Sequence, residues 1–210
     1  MTSGTPAADI AQLLGGAVLL LSFVMLRARR IGVVINAYAL QGIALALAAA
    51  WQGHVQSAPG LYATALIAFA AKAIAIPFTL RRHVGAHRAV EPSPGISGSP
   101  AAAIGLVALS ALVVLPVTAG GATPLARVEL TIALSVVLLG LLAAVARRNA
   151  VGQVVGLLSL ENGLMLAAIG IAGMPLVWAL SLALLVLVAA IVAGVVALDT
   201  SAPARPRSGT

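Results

Sequence analysis

The chain has 210 residues, 61% of them hydrophobic and 8% charged, with 12 basic against 5 acidic side chains and a mean hydropathy of +1.13. No soluble domain of this size has interior enough to hide so much apolar surface, which excludes a water-soluble globule and implies an all-α, polytopic membrane protein. The lack of cysteine excludes a disulfide, a thiolate metal site, an iron–sulfur cluster and a Cys nucleophile within the chain, and basic residues clustered between apolar runs with few aromatics argue against nucleic acid.

A bilayer core about 30 Å thick takes roughly 20 apolar residues per helix. On that measure seven spans are expected, at 9–26, 31–51, 61–80, 100–119, 124–146, 151–172 and 175–198. Residues Met1 to Gln12 carry Asp9 and no Lys or Arg, unlike a secretory signal, so the first run is expected to stay as a membrane helix. Arg27, Arg29 and Arg30 follow span one, Arg81, Arg82 and Arg88 follow span three, Arg147 and Arg148 follow span five, and Arg205 and Arg207 lie in the tail 199–210. Seven spans place all of these on one side, and the positive-inside rule then predicts the N-terminus outside and the C-terminus in the cytoplasm.

The loop His83 to Ser99, with Glu91, Pro92, Pro94 and Gly95, has no apolar periodicity and reads as a mobile cytoplasmic linker, its core at 91–99. It separates spans one to three (1–90) from span four (100–123) and spans five to seven (124–198). Thr123-Pro124 reads as a cap and first-turn proline, and Gly173-Met174-Pro175 as a tight external turn. Ala28-Arg29-Arg30 before Gln41-Gly42 resembles Ala146-Arg147-Arg148 before Asn162-Gly163, which would make the two three-span units a parallel repeat.

Glu161 sits near the middle of span six. An acidic group at a bilayer centre costs roughly 2.5–3.5 kcal/mol on insertion scales, so Glu161 must face protein or water, or carry a proton, and each option points to ion or proton handling. A buried hydrogen-bonding strut is the structural alternative. At 100° per residue, Gly152, Gly156 and Gly163 share one face, open to a close neighbour, and Glu161 projects from the other with Val154, Leu157, Met165 and Ala168. Lys72 is the second intramembrane charge, on a stripe of Ala65, Ala68 and Ala75, with snorkelling as the alternative. Five residues on, Pro77 is expected to free the carbonyl of Ala73 beside the ammonium.

Glu129 and Arg127 lie near the outer start of span five, as interfacial groups or, for Glu129, a point of proton uptake or release. Asn36, Tyr38 and Gln41 make span two the other polar helix. His54, His83 and His87 supply too few ligands for a metal site, and no phosphate loop, nucleophile motif or paired catalytic carboxylates occur.

The run Arg147-Arg148-Asn149, Gln153, Gly156 and Glu161-Asn162-Gly163 resembles the signature of the hydrogenase-4 component E family, membrane subunits of formate-hydrogenlyase-type complexes. Tyr38-Ala39-Leu40-Gln41 and the pair Lys72 and Pro77 agree with it. Spans five to seven also resemble subunit K of respiratory complex I, although Glu161 falls three residues after that subunit's glutamate position, here Leu158. Both families tend to carry an acidic residue in the last helix, whereas Leu176 to Leu198 has no ionisable side chain.

The resemblance implies a membrane-arm subunit without enzyme activity of its own, in a prokaryotic inner membrane beside large antiporter-like subunits and a redox arm. Iron–sulfur clusters and a nickel–iron centre would belong to those partners, with no cofactor or metal in this chain. Glu161, Lys72 and Glu129 are the proton-relay candidates, supported by Asn162, Gln153, Gln41, Tyr38, Gly156, Gly163 and Pro77. A purely structural scaffold subunit and a stand-alone ion or solute transporter remain as alternatives.

Overall fold

The computed structural model describes residues 6–86, 99–118 and 124–170, all of them in helices or short turns. In chain order these are α1 (Pro6–Arg27), α2 (Ile31–Val55), α3 (Pro59–Ala68), a π-helical segment (Phe69–Ala75), α4 (Ile76–Ala86), α5 (Ser99–Val117), α6 (Pro124–Ala146) and α7 (Ala150–Gly170). Five stretches are long and apolar enough to cross a membrane: Ala8–Arg27, Ile31–Val55, Pro59–Arg82, Ala126–Ala146 and Ala150–Ile169. A shorter apolar helix, Ala101–Pro116, stands where span four is expected. The protein is therefore an all-α polytopic membrane protein with five to six described spans. The expected seventh span, the Gly173-Met174-Pro175 turn, Thr123, His87 and most of the linker after Ala86 lie outside the described residues.

Helices α1, α2, α7 and α6 pack in a ring, each against the next, with the α3–α4 span applied outside α2 and α5 applied outside α6. Local chemistry makes the tight connections. After α2, Ser57 adopts φ 51°, the Ser57 N–H donates to His54 O and the Ala58 N–H to Gly53 O at 3.0 Å. That is the Schellman stop, which satisfies carbonyls the helix end leaves open, and Pro59 then starts α3 with its fixed φ. Between α6 and α7, Asn149 Oδ1 accepts the Gly152 N–H at 2.6 Å as an N-cap, and Gln153 reaches back to Arg147 O at 2.9 Å. Gly152 therefore serves this cap, with Arg147 and Asn149 where its Cβ would go, and not the inter-helix stripe expected of it. Gly156 and Gly163 do meet a neighbour: a Cβ on either would come within 3 Å of the backbone of α6.

Among the described residues, Arg27, Arg29, Arg30, Arg81, Arg82, Arg147 and Arg148 lie at one end of the bundle. Arg147 is buried and donates from Nη2 to Met25 O and to Ala28 O, capping the C-terminus of α1, while Arg81 Nη2 donates to Asn36 Oδ1 at 2.6 Å near the start of α2. At the other end Gln56 reaches Ile169 O and Arg127 reaches Thr118 O. Because hydrogen bonds from a charged donor are worth about 1.5–3 kcal/mol, Arg147→Met is expected to lower stability by about 2 kcal/mol. Arg148→Met, at an exposed position, should stay within about 0.5 kcal/mol. Thermal midpoints of the two variants in mild detergent make the comparison.

Candidate functional site

Midway along the bundle, α1, α2, the π segment and α7 bring polar side chains together inside an apolar shell. Lys72 Nζ lies 2.9 Å from Glu161 Oε1, with both side chains 4% exposed. The same ammonium donates to Asn162 Oδ1 at 2.7 Å, and Asn162 Nδ2 donates to Gln41 Oε1 at 3.0 Å. Gln41 Nε2 then faces three acceptors, Ser22 Oγ at 2.8 Å, Ser159 Oγ at 3.2 Å and Val18 O at 3.2 Å. An amide has two N–H donors, so these acceptors share them, and Ser22 Oγ in turn donates to Val18 O.

Two backbone features set this geometry. Gly42 lets the π segment close on α2, since a Cβ there would sit 3.0 Å from the Lys72 backbone carbon. The π segment widens the turn that carries Lys72. Its last pairing sends the Ile76 N–H to Ala71 O, five residues back. Pro77 has no N–H to continue that ladder, so a donor is missing about one turn beyond Lys72. The wider turn also breaks the expected alanine stripe: Ala65 and Ala68 are buried with Lys72, whereas Ala75 is exposed and Pro77 takes the inward place. Similarly, Val154, Leu158 and Met165 accompany Glu161 into the interior, but Leu157 faces outward.

Lys72 and Glu161 thus form a buried ion pair, with Nζ 2.9 Å from Oε1. Desolvating two ions commonly costs as much as their attraction returns. Stability alone is thus a poor reason for the pair. Apolar clusters close it off on both sides. Toward the arginine end stand Met25, Val34, Ile35, Leu80, Val151 and Val155 with Tyr38 among them, and toward the other end Leu45, Ala49, Leu61, Ala65, Met165 and Ile169.

The other sequence candidates fall elsewhere. Glu129 lines a separate cleft between α1, α2, α6 and α7 with Gln52, Gly15 and Ile132. About 20 Å³ there is open to water, room for roughly one molecule. Gly163 packs near Ala133 and Val137, and Gly140 near Leu160, so α6 and α7 run antiparallel, with Glu129 about nine residues, or ~13 Å, beyond the level of Glu161. Gln153 stays at the arginine end in its cap. Sequence reasoning passed over Ser22 and Ser159. The signal for Ser22 was present, as the one hydroxyl in the run from Leu13 to Leu26.

A protein of Mycobacterium tuberculosis (strain H37Rv), named Uncharacterized protein Rv0085, is 31% identical over 188 residues, covering 86% of this chain and 84% of that protein. The chain belongs to the same family as that protein. No protein-family model and no solved structure matches it.

Proposed function

We propose that this member of that family is a membrane-arm subunit of a complex I-like or group 4 nickel–iron hydrogenase-like complex, contributing to proton or sodium translocation coupled to redox chemistry in partner subunits. The occluded Lys72–Glu161 pair at mid-depth carries the reading. Intramembrane ion pairs of this kind mark ion and proton paths more often than they serve packing. The motif from Arg147 to Gly163, with Tyr38, Gln41, Lys72 and Pro77, supports placement in that class of complex. In this proposal the membrane is the prokaryotic cytoplasmic membrane, with the arginine-bearing end inside. Large antiporter-like subunits and a redox arm are the partners, and they hold the iron–sulfur clusters and the nickel–iron centre, whose thiolate ligands a cysteine-free chain lacks.

Glu161 acts as the protonatable carrier and Lys72 as the positive partner that sets its affinity. While both are ionised the site is neutral. A proton arriving at Glu161 leaves the ammonium uncompensated, and it is then held by Asn162 Oδ1. Charge movement in a neighbouring subunit can bias this exchange, which is how redox work at a distance would reach the site.

The test is proton pumping in vesicles by complexes carrying Glu161→Gln or Lys72→Ala, with assembly verified. A fall of at least about tenfold per assembled complex is expected, from the usual contribution of a positioned proton carrier; normal pumping in both variants removes the proposal. A second reading, a scaffold subunit, is favoured by the apolar clusters on both sides of the pair and by the uncharged run Leu176 to Leu198. It requires that the same variants lose assembly or yield but pump normally once assembled. Purification as a lone homo-oligomer with transport activity of its own would favour a stand-alone transporter instead.

A further inference from the structure

Helices α5, α6 and α7 together enclose a cavity of about 300 Å³ whose wall residues Val113 and Leu164 are exposed. The lining is apolar, from Val113 and Val114 of α5 through Leu130, Leu134 and Val137 of α6 to Leu164 of α7. Thr118, the one hydroxyl among the described lining residues, donates to Val114 O at 2.7 Å. Gly163 brings α7 against α6 at Val137 and Ala133, which sets the inner side of the space.

Arg127 stands at one end of this cavity. Its Nη2 donates to Thr118 O at 3.0 Å, and Leu130, one turn further along α6, belongs to the wall. Its Nε is buried without a hydrogen-bond partner among the described residues, and none of their carboxylates comes within ion-pair distance of it. The nearest acid in sequence, Glu129, lines the separate cleft toward α1 and α2. A cation suits the C-terminal end of α5, but that contact uses one of five N–H donors and leaves the charge without an anion. The depth is also informative. From Arg127 to Val137 α6 rises ~15 Å, about one leaflet of a 30 Å hydrocarbon core. A partner helix would need a groove along the whole span, whereas Ser110 Oγ and Ser135 Oγ, 2.5 Å apart, hold α5 on α6 at the level where the cavity ends on α5. At roughly 30 Å³ for a group of water's size, about ten linked methylenes fill the space.

We propose that the cavity holds one acyl chain of an anionic phospholipid of the phosphatidylglycerol type, with its phosphate on the Arg127 guanidinium at the end opposite the arginine clusters. A guanidinium edge meets two phosphate oxygens at once, which gives the unpartnered Nε its acceptor and the charge its counter-ion. The chain below fills the gap between α5 and α7, so head group and tail are read by different parts of one site. The site stands independently of any role of Glu161 in proton movement.

The test uses the full-length protein in phosphatidylcholine nanodiscs containing a minor fraction of phosphatidylglycerol with a diazirine on its acyl chain. After illumination, mass spectrometry of peptides is expected to find the label at 134–137 and 164–167. The yield there should be about fivefold above that from the same chain on phosphatidylcholine, the factor usual for one basic residue against an anionic lipid. Arg127→Gln is expected to erase the preference and Arg127→Lys to keep most of it. Leu164→Trp, which fills the cavity and leaves Arg127 in place, is expected to lower labelling of 134–137 by both lipids, and it decides the matter should Arg127→Gln fail to fold. Equal labelling from the two lipids, or a preference that survives Arg127→Gln, overturns the phosphate contact. An unlabelled wall, as a helix seated there would give, or a wall labelled as strongly in Leu164→Trp, overturns the cavity as the place of the chain. Suppression of the preference by glycerol 3-phosphate would assign Arg127 to a soluble phosphate compound and overturn the lipid.

Discussion

Lys72→Met alone is expected to destabilise the protein by about 3–5 kcal/mol, and Lys72→Met/Glu161→Leu to recover most of that loss. The single variant removes the contact that compensates a carboxylate 4% exposed at mid-bundle. What remains is an ion in a low-dielectric interior without the ammonium that lay 2.9 Å from its Oε1. The double variant replaces both ions with apolar groups of similar length, and buried pairs exchanged in this way are commonly neutral or better. Glu161→Leu alone should fall between, because the ammonium keeps its acceptor on Asn162. The two substitutions are thus strongly non-additive, and a double-mutant cycle on denaturation midpoints in mild detergent reads the coupling directly. Wild-type stability in Lys72→Met would mean that the carboxyl is neutral without the lysine, and the assignment of Lys72 as the partner that sets its affinity would fall. The double variant also separates the functional readings, since a stable, assembled but non-pumping complex fits a relay and a pumping one fits a scaffold.

Hydropathy made the depth of this pair legible because desolvation cost is a property of one helix at a time. Glu161 and Lys72 each interrupt an apolar run near its centre, and no knowledge of neighbours is needed to see it. Their meeting at 2.9 Å depends on α2 lying between the α3–α4 span and α7, and on Gly42 admitting the π segment, which no single run encodes. Local irregularity misdirected the finer expectations. A constant 100° per residue carries Ala75 inward, and the π turn before Pro77 carries it outward. Gly152 shares an angular stripe with Gly156 but stands in the first turn of α7, where the cap decides its neighbours. Ser22 escaped notice because a hydroxyl bonded to the carbonyl four residues back hardly disturbs an apolar helix, and its second role toward Gln41 arises only from packing. Glu129 reads from sequence as a charge near an interface, and its place in a separate cleft with Gln52 follows from the ring of four helices.

Gly156→Val is expected to be the most disruptive substitution away from the charged pair, costing more than about 3 kcal/mol, the upper part of the usual range for overpacking. A Cβ at Gly156 would come within 3 Å of Ala144 N and Cα, and the same holds for Gly140 against Leu160 and for Gly163 against Val137. The obstructing atoms are mostly backbone, so no rotamer change relieves them and the helices themselves must part. In a bilayer, where lipid tails solvate leucine as well as another helix does, such close backbone approach is a main source of helix association. Gly105→Val and Gly16→Val provide the contrast, because nothing lies within 4 Å of a Cβ at either position. Adding a side chain there should cost little or stabilise slightly by relieving the entropy penalty of a helical glycine. Denaturation midpoints for the three variants decide the matter; Gly156→Val as stable as Gly105→Val would show that α6 and α7 do not depend on this contact. The consequence reaches the site because Glu161 and Asn162 ride on α7 one to two turns beyond Gly156. Parting α7 from α6 moves it within the ring of α1, α2, α6 and α7, which strains the contacts from Asn162 to Gln41 and from Glu161 to Lys72. A milder Gly156→Ala variant that still folds should therefore lose pumping out of proportion to its loss of stability.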